Sequence, residues 1–533
     1  MANDEAIQQL IDQVLPAIRD LSIRESLAGW ERDITGDPAA AAKAAELAQR
    51  LWTLYADPAV FARLRQFREA GGAKDPVLNR QLEQLYWDCL EHQLTRDEIR
   101  ELVERETEIS QLFNNFRATY QGRSVSDNEL GEVLREENDS TLRQEAWEAS
   151  KQIGAQAAEK VRELARARNR IAHRLGFRDF FAMKLASQEI DETELMATLE
   201  GLRSESDAAY RAEKAVLDAE LAERFGIAPS ELMPWHYADP FFQRAPQGAG
   251  GPDLDQYFAK LDVEATAVKY YDRIGLEVRD ILQHSDLYER PGKCQHAYCK
   301  DVDRQGDIRI LANITPCQRW TTTLLHELGH AVYDKYIDPG IPWLLHCPAH
   351  TMTTEAVAQL MGRLTNNALW LAAYAGVPEA EAWAAASYVK NQERRNQLIF
   401  SRWGMVMTHF ERALYGDPDQ DLGKVWWDLV ERLQLLTRPE GSERATDWAA
   451  KIHVANFPVY YHNYVLGEMT ASQFEAALVR DVGPDWPVSE QTGAWLTERI
   501  FRPGNLLRWN ERLEKATGEK LNPRYHVAYL AGE

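Results

Sequence analysis

The sequence predicts a mainly α protein, one large or two-lobed helical body, on three observations. Ala, Leu, Glu, Arg and Gln, residues that cost little in a helix, dominate long stretches. From residue 5 to about 225 apolar residues recur at helical spacing, as in Ile7, Leu10, Ile11, Val14, Leu15 and Ile18, and again at Leu47, Leu51, Leu54 and Tyr55. Strand-like alternation is confined to one stretch near residue 300. With 533 residues, 45% hydrophobic and 27% charged, the chain has ample apolar material for a core.

Charge and composition exclude some roles. A formal net charge of −22 disfavours nucleic acid as a partner, because phosphate backbones are bound through basic patches. The acidic start Met1-Ala2-Asn3-Asp4-Glu5 runs directly into an amphipathic pattern, without the basic and apolar regions of a signal peptide. The longest apolar run, Ala368 to Val377, stops at Pro378-Glu379 and is too short to span a membrane. Cys89, Cys294, Cys299, Cys317 and Cys347 are few and odd in number, which fits free thiols in a reducing compartment. The expectation is a cytoplasmic protein with no membrane partner; no oligomeric state is read from the pattern.

Taken in order, residues 143–175 form one long helix, ended at Gly176 by the left-handed cap that glycine permits. Pro229, Pro234, Pro240 and Pro246, followed by Gly248-Ala249-Gly250-Gly251-Pro252, are the densest group of helix breakers. They divide a single 1–533 unit into a helical lobe, 1–250, and a catalytic lobe, 251–533. The aromatic-rich residues 233–242 inside this break read as a surface connection. Helix resumes near Leu254. Residues 295–300 and 307–314 then alternate as strands, with Gly306 in the turn, giving a hairpin whose free edge can pair with an extended peptide.

The chemistry is concentrated in His326-Glu327-Leu328-Gly329-His330. Residues four apart share a helix face, so the two imidazoles point at one ion while Glu327, one step round, reaches its bound water. Neutral imidazole binds zinc well, a catalytic zinc keeps one position open for water, and the metal lowers that water's pKa to about 7. Residues 353–361 read as a second helix, with Thr353 or Thr354 as its cap and Glu355 in its first turn, where it completes a His, His, Glu set. His346 and His350, in the intervening proline-rich loop, are alternative ligands. Further on, Lys451-Ile452-His453 precedes Tyr461 and Tyr464, three apart and on one helical face. Phenol and imidazole are the donors an oxyanion needs, and an amphipathic aromatic belt explains the same spacing.

Together these stretches resemble the gluzincin peptidases, specifically the angiotensin-converting-enzyme family and the related thimet oligopeptidase family. The resemblance rests on 326–330 with Glu355 behind it, Gly292-Lys293-Cys294-Gln295-His296-Ala297-Tyr298-Cys299 ahead of it, Lys451-Ile452-His453 leading to Tyr461 and Tyr464, and Val425-Trp426-Trp427. It implies a two-lobed ellipsoidal helical body with a deep central channel, whose entrance the N-terminal helices narrow. It implies that His326, His330 and Glu355 bind zinc, that Glu327 is the general base and acid, and that Tyr464 stabilises the oxyanion with help from His453. His296 and the backbone at Ala297 would hold the substrate chain, and Lys451 and Tyr461 would receive a peptide's C-terminal carboxylate. The implied activity is zinc-dependent hydrolysis of short peptides with release of C-terminal dipeptides. An oligopeptidase or carboxypeptidase on the same site, a non-peptide amide hydrolase and a non-catalytic peptide binder are the alternatives. Three positions depart from the family pattern: Tyr237 replaces the carboxylate-binding glutamine expected near Trp235, Gln359 replaces an aspartate expected to orient a ligand histidine, and the spacing makes Tyr460 a rival to Tyr461.

Overall fold

The computed structural model describes residues 2–246 and 251–532, and it is mainly α. Its residues gather into two compact units: Met1–Gln93, Gly251–Lys390 and Gly467–Asn522 form the first, and Leu94–Gly250, Asn391–Leu466 and Pro523–Glu533 the second. The chain passes between them at 250/251, next to the helix breakers, and also at 93/94, 390/391, 466/467 and 522/523. Gly248-Ala249-Gly250, part of that breaker run, lies outside the described residues.

The first unit opens with four helices, Ala2–Thr35, Pro38–Tyr55, Pro58–Glu69 and Pro76–Glu91. The last three share one start signal, Asp-Pro. The carboxylates of Asp37, Asp57 and Asp75 accept the backbone N–H groups of Ala39, of Ala59 and Val60, and of Leu78. Proline at the first helical position has no N–H to leave unsatisfied. Leu21, Ala28, Ala44 and Leu47 form a buried seam between the first two helices, with Leu51 and Leu54 packed against it. The same unit holds the motif helix Gln318–Lys335, the helix Thr351–Gly362, and a hairpin described below.

In the second unit the predicted long helix is Ser140–Arg174, capped by Asp139 and ended by Gly176 at φ +93°, where Phe177 N–H donates to Ala172 O at 2.9 Å. A second long helix follows at Glu192–Phe225. One element here corrects the reading of an all-helical N-terminal half. β1, Ala118–Tyr120, pairs antiparallel with β2, Arg123–Val125, through a Gln121-Gly122 turn with φ of +50° and +73°. Strands of three residues are too short to show alternation, and Gly122 in the two-residue turn is the one local mark the sequence carries.

The expected second hairpin is present in the first unit but shorter. β3, Tyr298–Asp301, pairs with β4, Ile308–Leu311, in the register Tyr298↔Leu311 to Asp301↔Ile308. His296 and Ala297 therefore precede the strand. Asp286 covers the far edge of β4 by a bridge to Leu311, which leaves β3 as the outer strand. No helix among the described residues is long and apolar enough to cross a membrane. All five cysteines are unpaired thiols.

Gly154, in the middle of Ser140–Arg174, lies so close to the 3-10 segment Ser442–Ala450 that a Cβ there would collide with the Thr446 carbonyl. Gly154→Ala is expected to destabilise the protein by about 1–3 kcal/mol, through overpacking against backbone that has no room to retreat, and a thermal melt checks it.

Candidate metal centre and active site

The motif helix and Thr351–Gly362 touch backbone to backbone. A Cβ at Gly329 would lie 2.7 Å from the Ala358 Cα, so only glycine allows this approach. The approach brings a side chain from the second helix to two from the first. His326 Nε2 and His330 Nε2 lie 3.8 and 3.9 Å from Glu355 Oε2, and one donor atom from each residue falls within 4.8 Å of the others. Among the described residues this is the one group of three or more His, Cys, Asp or Glu side chains so placed.

The donor set fits a divalent cation that favours nitrogen and oxygen ligands. Burial depresses His326 to about 4, against a bond to the Ala358 backbone, and depresses His330 to about 3, helped by the neighbouring His326. Both imidazoles are therefore neutral at pH 7 and keep a lone pair for a metal. Thr354 Oγ1, 2.7 Å from His330 Nδ1, turns the other ring nitrogen towards the shared position. Thr354 and the Ala358 backbone thus supply the orienting contacts for the two histidines that the sequence left unassigned at Gln359.

The cap assignment needs correction. The second helix starts at Thr351, not beyond Thr353, because His350 is its cap: His350 Nδ1 accepts Met352 N–H at 3.1 Å, and Thr353 Oγ1 donates to His350 O at 2.7 Å. Glu355 consequently sits in the second turn, and Thr354 is available to His330. His350 is thereby a capping residue, and neither it nor the buried His346 belongs to the donor group.

Glu327 is buried, 7% exposed, beside this group. Its carboxyl is pushed up to about 7, first by burial and then by the charge of Glu355, against a backbone bond from Cys299. That bond sets Glu327 against β3. The approach to the strand is anchored by buried Lys293, whose Nζ donates to Asp286 O and Tyr288 O at 2.9 Å and pairs with the Asp286 carboxylate at 2.7 Å. His296 follows, exposed, and Ala297, half-buried, leads into the strand.

The remaining predicted residues come together in the second unit. Lys451 precedes the short helix His453–Asn456, and Tyr461 opens the helix Tyr461–Asp481. Lys451 Nζ donates to Gln243 Oε1 at 2.6 Å and lies 5.3 Å from the Trp403 ring, 5.4 Å from Phe241 and 5.9 Å from Tyr461. Burial lowers its ammonium to about 8, opposed by Asp239. The His453 and Tyr461 rings are 5.4 Å apart, as are those of Tyr461 and Tyr464. Burial, then Lys451, lowers His453 to about 4, so its ring is neutral. Tyr461 is buried and faces Lys451, whereas Tyr464 is 41% exposed and Tyr460 packs on Tyr464, which favours Tyr461 over Tyr460.

Tyr237 packs on Phe242, but its hydroxyl is turned to partners other than Lys451. Its buried hydroxyl donates to Asp218 at 2.8 Å and accepts from Lys214 at 2.7 Å. The amide beside Lys451 is Gln243's, which sequence reasoning missed because the aromatic segment has no period to fix its alignment.

Two histidines four apart on one helix, a glutamate from the next and a carboxyl one step round define the gluzincin class of metallopeptidases. The profile of peptidase family M3 matches residues 133–530, well over half of the chain, and the chain belongs to that family. A second profile, angiotensin-converting enzyme, matches residues 1–236. Among curated proteins the chain is similar to Carboxypeptidase 1 of Bacillus subtilis (strain 168), 22% identical over 272 residues, which are 45% of this chain and 52% of that protein. It is also similar to Thermostable carboxypeptidase 1 of Pyrococcus furiosus, 29% identical over 118 residues, 21% of this chain and 23% of that protein. The matches thus span about half or less of these relatives' length.

If Thr354 orients His330, Thr354→Val should weaken metal binding by about 10–100-fold while leaving the melting temperature of the metal-free protein nearly unchanged. Competition with a chromophoric chelator reads the first and calorimetry the second.

Proposed function

We propose that the whole chain acts as a zinc peptidase on short peptides with a free C-terminus, releasing C-terminal dipeptides. The convergence of His326, His330 and Glu355 beside buried Glu327 carries this reading. These three residues would hold the ion, which when bound supplies a Lewis acid and a water acidified to a pKa of about 7. Glu327 serves as general base and then returns the proton to the leaving amine, with the Cys299 N–H fixing the direction of its carboxylate. The outer edge of β3, with His296 and the Ala297 backbone ahead of it, pairs with an extended peptide main chain. Tyr464 and neutral His453 are the hydrogen-bond donors for the oxyanion. Lys451, Gln243 and Tyr461 receive the terminal carboxylate, an ammonium and an amide already joined and a phenol against them. The free thiols support a cytoplasmic setting.

A second reading, removal of single C-terminal residues, is favoured by the names of the two relatives and uses the same groups. Mass spectrometry of the products from an unstructured peptide of about ten residues, offered with a free or amidated C-terminus, separates the readings. Dipeptides from the free form alone are expected. Single residues from the free form would establish the carboxypeptidase instead. Internal cuts in both forms would remove the carboxylate role of Lys451 and leave an oligopeptidase.

Glu327→Gln should retain one equivalent of zinc and lose turnover by about 100-fold or more; near-parental turnover in a metal-replete sample would rule out the base. Lys451 provides a pH signature. Its ammonium is charged below about 8, so kcat/KM for free-terminus peptides should fall as pH rises through that value.

A further inference from the structure

The segment from His453 to Tyr464 carries three of the proposed functional side chains on little secondary structure. Between the four-residue helix His453–Asn456 and Tyr461 run Phe457, Pro458, Val459 and Tyr460, and Phe457 is 54% exposed. Three side chains from other elements of the same unit nevertheless hold this backbone in place. Arg168, 4% exposed near the C-terminal end of Ser140–Arg174, donates Nη2 to Ala455 O at 2.8 Å, and also bonds Glu106 at 2.8 Å and the Tyr415 hydroxyl at 3.1 Å. Glu411, 1% exposed on Glu379–Gly416, accepts the Val459 N–H at 2.7 Å. Gln188 donates Nε2 to Val459 O at 3.2 Å, and its Oε1 accepts from Asn463 Nδ2 at 2.8 Å and lies 3.0 Å from His462 Nε2.

Val459 is held by both of its peptide groups, and its backbone is unusual. Its φ is +54°, a left-handed conformation that a β-branched residue rarely adopts and that persists only where surroundings impose it. Burying a carboxyl and a guanidinium is a poor route to packing, since apolar side chains of similar volume fill space at lower cost. What these polar groups add is direction: the Glu411 carboxyl, which burial pushes up to about 8, accepts one N–H through its carbonyl oxygen, and the Arg168 guanidinium fixes one carbonyl. Here they fix the two ends of the stretch from Ala455 to Val459, and Gln188 fixes the first turn of the helix that follows.

We propose that Arg168, Gln188 and Glu411 are positioning residues for the reaction, a buried brace that acts through the backbone of residues 455–463 to set where His453, Tyr461 and Tyr464 point. The proposal rests on the oxyanion role of Tyr464 given above.

The test uses the full zinc-loaded chain and a free-terminus peptide, with Glu411→Ala, Glu411→Gln, Tyr464→Phe and the Glu411→Ala/Tyr464→Phe double variant. Glu411→Ala should lower kcat by about 30-fold with KM changed less than about 3-fold, since displacement on the order of 1 Å costs up to about 100-fold. Amide hydrogen exchange should quicken at 455–463 and zinc content should stay the same. Glu411→Gln, whose amide oxygen still accepts the Val459 N–H, should restore most of the rate. The double variant should be no slower than the slower single one, because the two changes remove one shared contribution. Losses that multiply in the double variant, or a Glu411→Ala variant with parental kcat, would overturn the brace. Tyr464→Phe at parental rate would overturn the oxyanion assignment and the brace with it, and is told apart by that single variant alone. Should Glu411→Ala fail to fold, Gln188→Ala enters the same cycle with the same expected and overturning results.

Discussion

The geometry of the three donors depends on one close approach, where the motif helix lies against Thr351–Gly362 at Gly329 and Ala358. A four-residue spacing supplies two donors from one helix but no third on the same side at the right distance. Glu355 is a short reach from its own backbone, so the second helix must come almost into backbone contact before its carboxylate stands 3.8–3.9 Å from both imidazoles. The same contact places the Ala358 backbone at His326 and Thr354 at His330. Donor positions and ring orientations are thus consequences of one packing choice.

Desolvation shapes both groups of residues, with different results. Around the three donors it keeps imidazoles neutral, which suits a lone-pair ligand, and raises the carboxyl of Glu327. Around Lys451 it acts against an ammonium enclosed by Phe241, Trp403 and Tyr461, which retains a hydrogen bond to Gln243 and the field of Asp239. A partly dehydrated ammonium gains more from an incoming carboxylate than a fully hydrated one, because less solvation is lost on pairing. The aromatic walls therefore strengthen the interaction attributed to Lys451, beyond filling space.

The parts of this organisation that were legible in the sequence are those written in local spacing. The motif helix, the long helix ended at Gly176 and the Tyr461/Tyr464 face all follow from helical periodicity. The Asp-Pro starts are equally local. What escaped depended on unusual or distant partners. His350 caps a helix although histidine is an uncommon cap, which displaced the expected start to Thr351. β1 and β2 are three residues each, below the length at which alternation can be seen. Gln243 reaches Lys451 across 208 positions from an aperiodic segment, and Tyr237, equally plausible by order, is turned towards Asp218 and Lys214. The left-handed backbone of Val459 has no mark in its residue type, since valine is among the side chains least suited to it.

The division of the chain into interleaved units also has a consequence in time. His326, His330 and Glu355 belong to a unit whose last segment is Gly467–Asn522, and the other unit ends with Pro523–Glu533. At the usual pace of synthesis, the ribosome needs on the order of ten seconds to add the segment that completes the first unit after the donors have been made. During that interval the half-built centre must survive on local contacts, such as the Gly329 crossing and the His350 cap. Neither unit exists as a contiguous stretch that a nascent chain could finish and set aside, so the unit that holds the three donors is complete only once residues 467–522 have been made.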